Sequence, residues 1–170
     1  MSDIALIVLA RAVHVMAGVT WAGATFVLAV VVVPLATRHG SQGAGRWLGM
    51  VARRSGSVSG IAALLTVVSG IYLLMTLHPN DGSPSGLVLK SGALAALLSL
   101  AVALLVGRPA GVRLQKLNAS LAEGELPSPE IAQQVARLGL RARMSSRLAA
   151  GLLGVAVLAM AVFRYASILS

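Results

Sequence analysis

Arg11-Ala-Val-His14-Val-Met16-Ala-Gly18-Val-Thr-Trp21-Ala-Gly23 opens the first long apolar run of the chain. It sets a guanidinium, an imidazole and an indole inside a stretch that otherwise reads as hydrocarbon-facing. Ionisable groups in such a segment are costly, so they mark a functional site by default. Arg11, His14, Gly18 and Trp21 are spaced three, four and three apart. On an α-helix that spacing puts all four on one face. Gly18, one turn beyond His14, leaves room for a flat, bulky group to lie against the backbone. The stretch also supports a plainer reading: Gly18 and Ala22 form a small-xxx-small pair, which lets two helices approach.

The rest of the chain places this helix in a membrane. Apolar residues make up 57% of the 170 positions, and mean hydropathy is +0.87. A soluble domain carries roughly 45–50% apolar residues, and here the excess is gathered into runs. The runs predict spans over about 4–36, 58–77, 87–106 and 148–165, with a polar loop over 107–147. At about 20 residues per span, the chain has room for a single domain, 1–170, of four spanning helices. The first run is longer than a bilayer needs, so Arg11 and His14 are expected near one interface. Pro34 marks its other end. Asp3 stands where a signal peptide would be basic, so the first run is expected to stay as a span.

Charge orders the spans. The net charge is +9, yet nucleic acid is not the expected partner, because the cations sit in two loops beside the membrane. Arg38, Arg46, Arg53 and Arg54 follow the first span, with His39 and the interfacial anchor Trp47 among them. Arg108, Arg113, Lys116, Arg137, Arg141, Arg143 and Arg147 lie around the third loop, with Glu123, Glu125 and Glu130 read as solvated helix-end charges. Positive charge of this kind stays in the cytoplasm and meets anionic lipid. The expected fold is therefore an all-α integral membrane four-helix bundle with both termini outside. Leu114, Leu117 and Leu121 carry the third helix past the membrane. Ser128-Pro129-Glu130 reads as the cap and first turn of the fourth helix, so helices three and four extend into the cytoplasm. His78-Pro-Asn-Asp81-Gly-Ser-Pro-Ser-Gly86 is turn chemistry and predicts a tight hairpin between the second and third spans.

Arg11, His14, His78, Lys90 and Arg164 then fall near the outer face from four different helices. Converging there, they would form a polar site in an apolar setting. Imidazole suits iron or copper, and Arg or Lys pairs with carboxylates such as haem propionates. The expected cofactor is haem b, with His14 as an axial ligand and Arg11, Lys90 or Arg164 near the propionates. His78 is the first candidate for a second ligand, with Met16 and Met75 behind it. Copper held by His14, Met16 and His78 is the alternative. A third reading is a non-catalytic accessory subunit whose small-residue motifs, Gly56-x-x-x-Gly60 among them, bind a partner helix or a second copy. Lys90 and Arg164 also suit snorkelling anchors. With no cysteine, disulfides, thiolate ligands and covalent haem attachment are excluded.

Arg11-x-x-His14-x6-Trp21-x-Gly23, with Pro34 at the far end of the span, resembles the first helix of the copper-resistance protein D-like membrane domain. The related HemJ-type protoporphyrinogen oxidases share a similar basic-x-x-His…Trp helix. Leu87-Val-Leu-Lys90 resembles the third helix of both groups, and Met160-Ala-Val-Phe-Arg164-Tyr165 is similar to the last helix of small four-helix members. The resemblance implies a multi-pass protein of the bacterial inner membrane that binds haem b. It implies His14 as a ligand and Lys90 as the helix-three lysine. A quinone or an outer-face redox protein would be the electron partner.

Overall fold

The computed structural model describes residues 3–39, 43–120 and 128–168. Leu121, Glu123 and Glu125 lie outside the described residues, as do the side chains of His39 and Arg46. The described residues contain no strand. They form four helices long and apolar enough to cross a membrane: α1 (Asp3–Ala36, running on to His39) and α3 (Pro84–Ser120) in one direction, α2 (Gly43–Leu77) and α4 (Pro129–Ala166) in the other.

Helix ends depart from hydropathy. The second helix starts at Gly43, well before the apolar run at Val58, because the arginine-rich turns between them contain no proline. Gln115 Nε2 donates to the Gly49 carbonyl at 2.7 Å and ties this polar segment to α3. Pro34 does not end α1. A π-helical turn over Leu28–Val32 precedes it, closed by the Val33 N–H bonding to the Leu28 carbonyl. A proline ring clashes with the carbonyl four residues back, which here is Val30. The extra residue in the wide turn moves that carbonyl aside. The same device recurs in α3, where the turn Ala103–Gly107 precedes Pro109. Ser128 caps α4 through its hydroxyl, which accepts from the Ile131 N–H at 3.4 Å.

The close pairs are α1 with α2 and α3 with α4. The two pairs meet through α1 and α4, where Phe26 packs on Gly154. Although a tight turn joins α2 to α3, they touch little. Lipid tails are as apolar as side chains, so pairing depends on close packing and on buried polar contacts. Both are visible. The core draws Trp21 from α1, Ala62 and Ala63 from α2, Ala95 and Ala96 from α3, and Leu153 and Ala156 from α4. Between α3 and α4, a Cβ on Gly92 would lie 2.8 Å from Ala159 Cβ, so only glycine fits there. Ser99, 1% exposed, donates its hydroxyl to the Ala149 carbonyl at 2.8 Å. A second, smaller core at the arginine-rich end joins Ala110, Leu138 and Ala142 to Val33, Leu114 and Leu117.

Candidate functional site

Two polar clusters lie toward the end of the bundle that carries the α2–α3 hairpin. The first is built on His14. Its Nδ1 lies 2.9 Å from the Thr66 carbonyl of α2. A carbonyl only accepts, so Nδ1 carries the proton and donates. In the neutral ring that leaves Nε2 with its lone pair. The Ser69 hydroxyl stands 3.4 Å from the same nitrogen, while itself bonding back to carbonyls of its own helix. The ring lies over Gly70, where an added Cβ would sit 2.8 Å from His14 Cε1 and 3.1 Å from Nδ1. Glycine at position 70 is what lets the imidazole reach the backbone of α2. His14 is half-buried, and its Nε2 has no hydrogen-bond partner among the described residues and is not sealed off from the surface.

Around His14, the other predicted residues take separate positions. Gly18 faces the Thr66 methyl, 3.6 Å from where its Cβ would be. Trp21 is 3% exposed and belongs to the four-helix core. Arg11 is exposed, and Met16 and Met75 are 70% and 72% exposed. The face reading from α1 alone missed Thr66, Ser69 and Gly70. They have a signal of their own: with Ala62 they recur at i, i+4, i+7 and i+8, a small and polar stripe on one side of an otherwise bulky span.

The second cluster closes the hairpin. His78 Nδ1 lies 3.3 Å from Asp81 Oδ2, and its ring meets Phe163 of α4 edge-on at 6.0 Å between centroids. Lys90 Nζ donates to the Asp81 carbonyl at 2.7 Å. The Ser83 N–H donates to Asp81 Oδ1 at 3.0 Å. Asn80 takes the left-handed backbone, φ 56°, which asparagine tolerates better than most residues. Gly86 is required beneath this turn, since a Cβ there would fall 2.6 Å from both Asp81 Cγ and the Asp81 carbonyl oxygen. His78 and Lys90 are thus brought together by Asp81, and Arg164 stays exposed on α4. Among the described residues, no group of three or more His, Asp or Glu is placed to hold a metal ion.

Hydrogen bonds from Ser83, and then His78, hold the Asp81 carboxyl below its ordinary value of 3.8. A lowered folded-state pKa stabilises the turn above the unfolded value, and that contribution is lost as pH falls through the folded one. Hydrogen exchange of the Ser83 amide is therefore expected to be slow from neutral pH down to about pH 4, and to lose its protection below that. In Asp81→Asn the acid-induced loss disappears. An acid-induced loss equal in wild type and Asp81→Asn would show that another group closes the turn.

Comparison with protein-family models, with curated proteins and with solved structures finds no match for this chain.

Proposed function

We propose that this is a multi-pass inner-membrane redox protein that binds haem b through His14, related to the copper-resistance protein D-like and HemJ-type membrane proteins. One observation carries the reading: Nδ1 of His14 donates to the Thr66 carbonyl and leaves Nε2 as an uncommitted donor atom. Histidines that hold metals commonly fix their other ring N–H on a carbonyl or carboxylate in this way. The donor set fits a single histidine ligand. It offers no second imidazole beside the first, since His78 is engaged by Asp81 and Phe163. Bound there, haem b would supply one-electron transfer. The Thr66 carbonyl would hold the proton at Nδ1 and set the tilt of the ring, Gly70 would admit it, and the exposed Arg11, one turn away, would be available to a propionate.

The same contact favours a second reading, in which His14 only clasps α1 to α2 in an accessory subunit. His14→Asn separates the two. Its amide keeps a donor for the Thr66 carbonyl but offers no iron ligand of comparable strength. The haem reading expects this variant to lose haem as His14→Ala does and to match haem-free wild type in thermal stability, because the stabilisation that a bound ligand adds is lost with the ligand. Haem content unchanged in both variants would remove His14 as the ligand.

The hairpin is assigned to the outside and the arginine-rich end to the cytoplasm, with α3 and α4 extending into it. Support comes from the cations of the first and third loops, set against a hairpin that carries Asp81 and no Lys or Arg before Lys90. The chain has no cysteine, so single cysteines report position cleanly. In intact cells a membrane-impermeant maleimide is expected to label Gly82→Cys and to spare Ala119→Cys. The reverse pattern would invert the topology.

A further inference from the structure

Along the α1–α2 seam, two open hollows of about 400 and 440 Å³ adjoin at Val58 and together make a shallow groove with no α4 residue in its lining. Buried Ala17 and Ala62 floor its middle, and Val13 and Leu65 stand at its far end. Ala24, Arg54 and Ser55 form the other end. The walls are almost wholly apolar except at this last end.

Arg54 is exposed and has no ion-pair or hydrogen-bond partner among the described residues. The Ser55 hydroxyl beside it likewise has no partner there, whereas that of Ser57 bonds back to the Arg53 carbonyl at 3.3 Å. Two uncommitted donors thus stand at the mouth of a hydrocarbon channel. Trp47, 62% exposed, lies two turns before Arg54 on the same stripe of α2, where an indole suits the headgroup region.

The dimensions name the occupant. From Leu65 to Arg54 is eleven residues, about 16 Å of helix. One leaflet is half of a roughly 30 Å hydrocarbon core, about 15 Å. From Leu77 at the hairpin to Arg54 is twenty-three residues, about 34 Å, so Arg54 reaches the opposite headgroup layer when Leu77 lies at the first. We propose that this groove binds one anionic phospholipid of the leaflet at the arginine-rich end, with an acyl chain along the α1–α2 seam and the phosphate on Arg54 and Ser55. The charge at the mouth selects an anionic headgroup, and the length of the groove matches a single acyl chain. This site is separate from His14 and holds whether or not haem binds there.

Native mass spectrometry of the purified full chain, titrated with phosphatidylglycerol or phosphatidylcholine, tests the assignment. Wild type is expected to retain one phosphatidylglycerol about tenfold better than phosphatidylcholine, because both offer the phosphate but the choline cation of the second repels the guanidinium of Arg54. Arg54→Gln is expected to lose that preference. Val58→Phe fills the waist of the groove from a position already 53% exposed, and is expected to abolish retention of both lipids. Arg113→Gln, on α3, is expected to behave as wild type. Equal retention of the two lipids by wild type would reduce the groove to ordinary annular contact and overturn the proposal. A Val58→Phe chain that keeps its lipid but changes from dimer to monomer would assign the groove to a second copy instead, and overturn it as well.

Discussion

Trp21→Ala is expected to lower the stability of the bundle by about 3 kcal/mol, at the lower end of what removing a buried tryptophan costs. The side chain is 3% exposed and is the largest member of a core cluster to which all four helices contribute. In a membrane the driving force is packing and not transfer from water, so the loss is mostly dispersion contacts that no neighbour can replace. The surrounding residues are chiefly alanines, with no flexible side chain to fill the void. Trp47→Ala is the matched comparison, since that indole is 62% exposed, and it should stay within about 0.5 kcal/mol. Unfolding by titration with a denaturing detergent measures both. Equal losses would mean that Trp21 is not at the centre of the fold.

Gly70→Ala is the second large effect, and it acts on the site. The new methyl carbon would meet His14 Cε1 at 2.8 Å and Nδ1 at 3.1 Å. The ring is held by its bond to the Thr66 carbonyl, so relieving the contact means giving up that bond or pushing the helices apart. Overpacking of this kind costs about 1–3 kcal/mol. The variant should also lose bound haem as fully as His14→Ala, although the histidine is still present. Gly60→Ala on the same helix provides the control. Among the described residues nothing lies within 4 Å of a Cβ there, so the better helix propensity of alanine should leave the protein as stable or slightly more so. If Gly70→Ala behaved like Gly60→Ala, the imidazole would not rest where the structure places it.

These two residues show what a single sequence conveys. The four spanning helices are legible because each needs a long apolar run, and such runs survive any local detail. The helix ends are less so. Hydropathy locates the hydrocarbon zone, whereas a helix continues through arginine-rich turns, as α2 does from Gly43, and through proline when a π-helical turn precedes it, as at Pro34. The face shared by His14, Gly18 and Trp21 is legible from spacing, but what meets that face is not. Trp21 joins a core cluster made mostly of alanines from the other helices, and Gly18 faces a threonine methyl. His14 bonds to a backbone carbonyl, which every residue owns and which therefore leaves no mark in sequence. Gly70 leaves a faint one, visible only once α2 is known to lie opposite. The Gly56-x-x-x-Gly60 pair reads as a packing motif, yet among the described residues nothing from another part of the chain lies within 4 Å of where a Cβ would stand on either glycine.

The hairpin is legible in the sequence, because turn chemistry is local. Pro79, Asn80, Asp81 and Gly82 each favour reversal for their own reasons. The contact that closes it, from Asp81 to His78 and to Lys90, spans only a few residues. Convergence of side chains from distant helices is a different problem. It depends on rotation of each helix about its axis, which depends in turn on the close pairs that form, and α2 and α3 form scarcely any contact.

Haem binding is tested most directly by the absorption spectra, oxidised and reduced, of the protein purified from haem-supplemented cells. Haem b held by His14 predicts a Soret band that shifts on reduction, and a pyridine haemochrome with the α and β bands of haem b at a single haem per chain, all absent from His14→Asn. A wild-type preparation that is folded, as judged by its helical content, and carries no Soret band would contradict it.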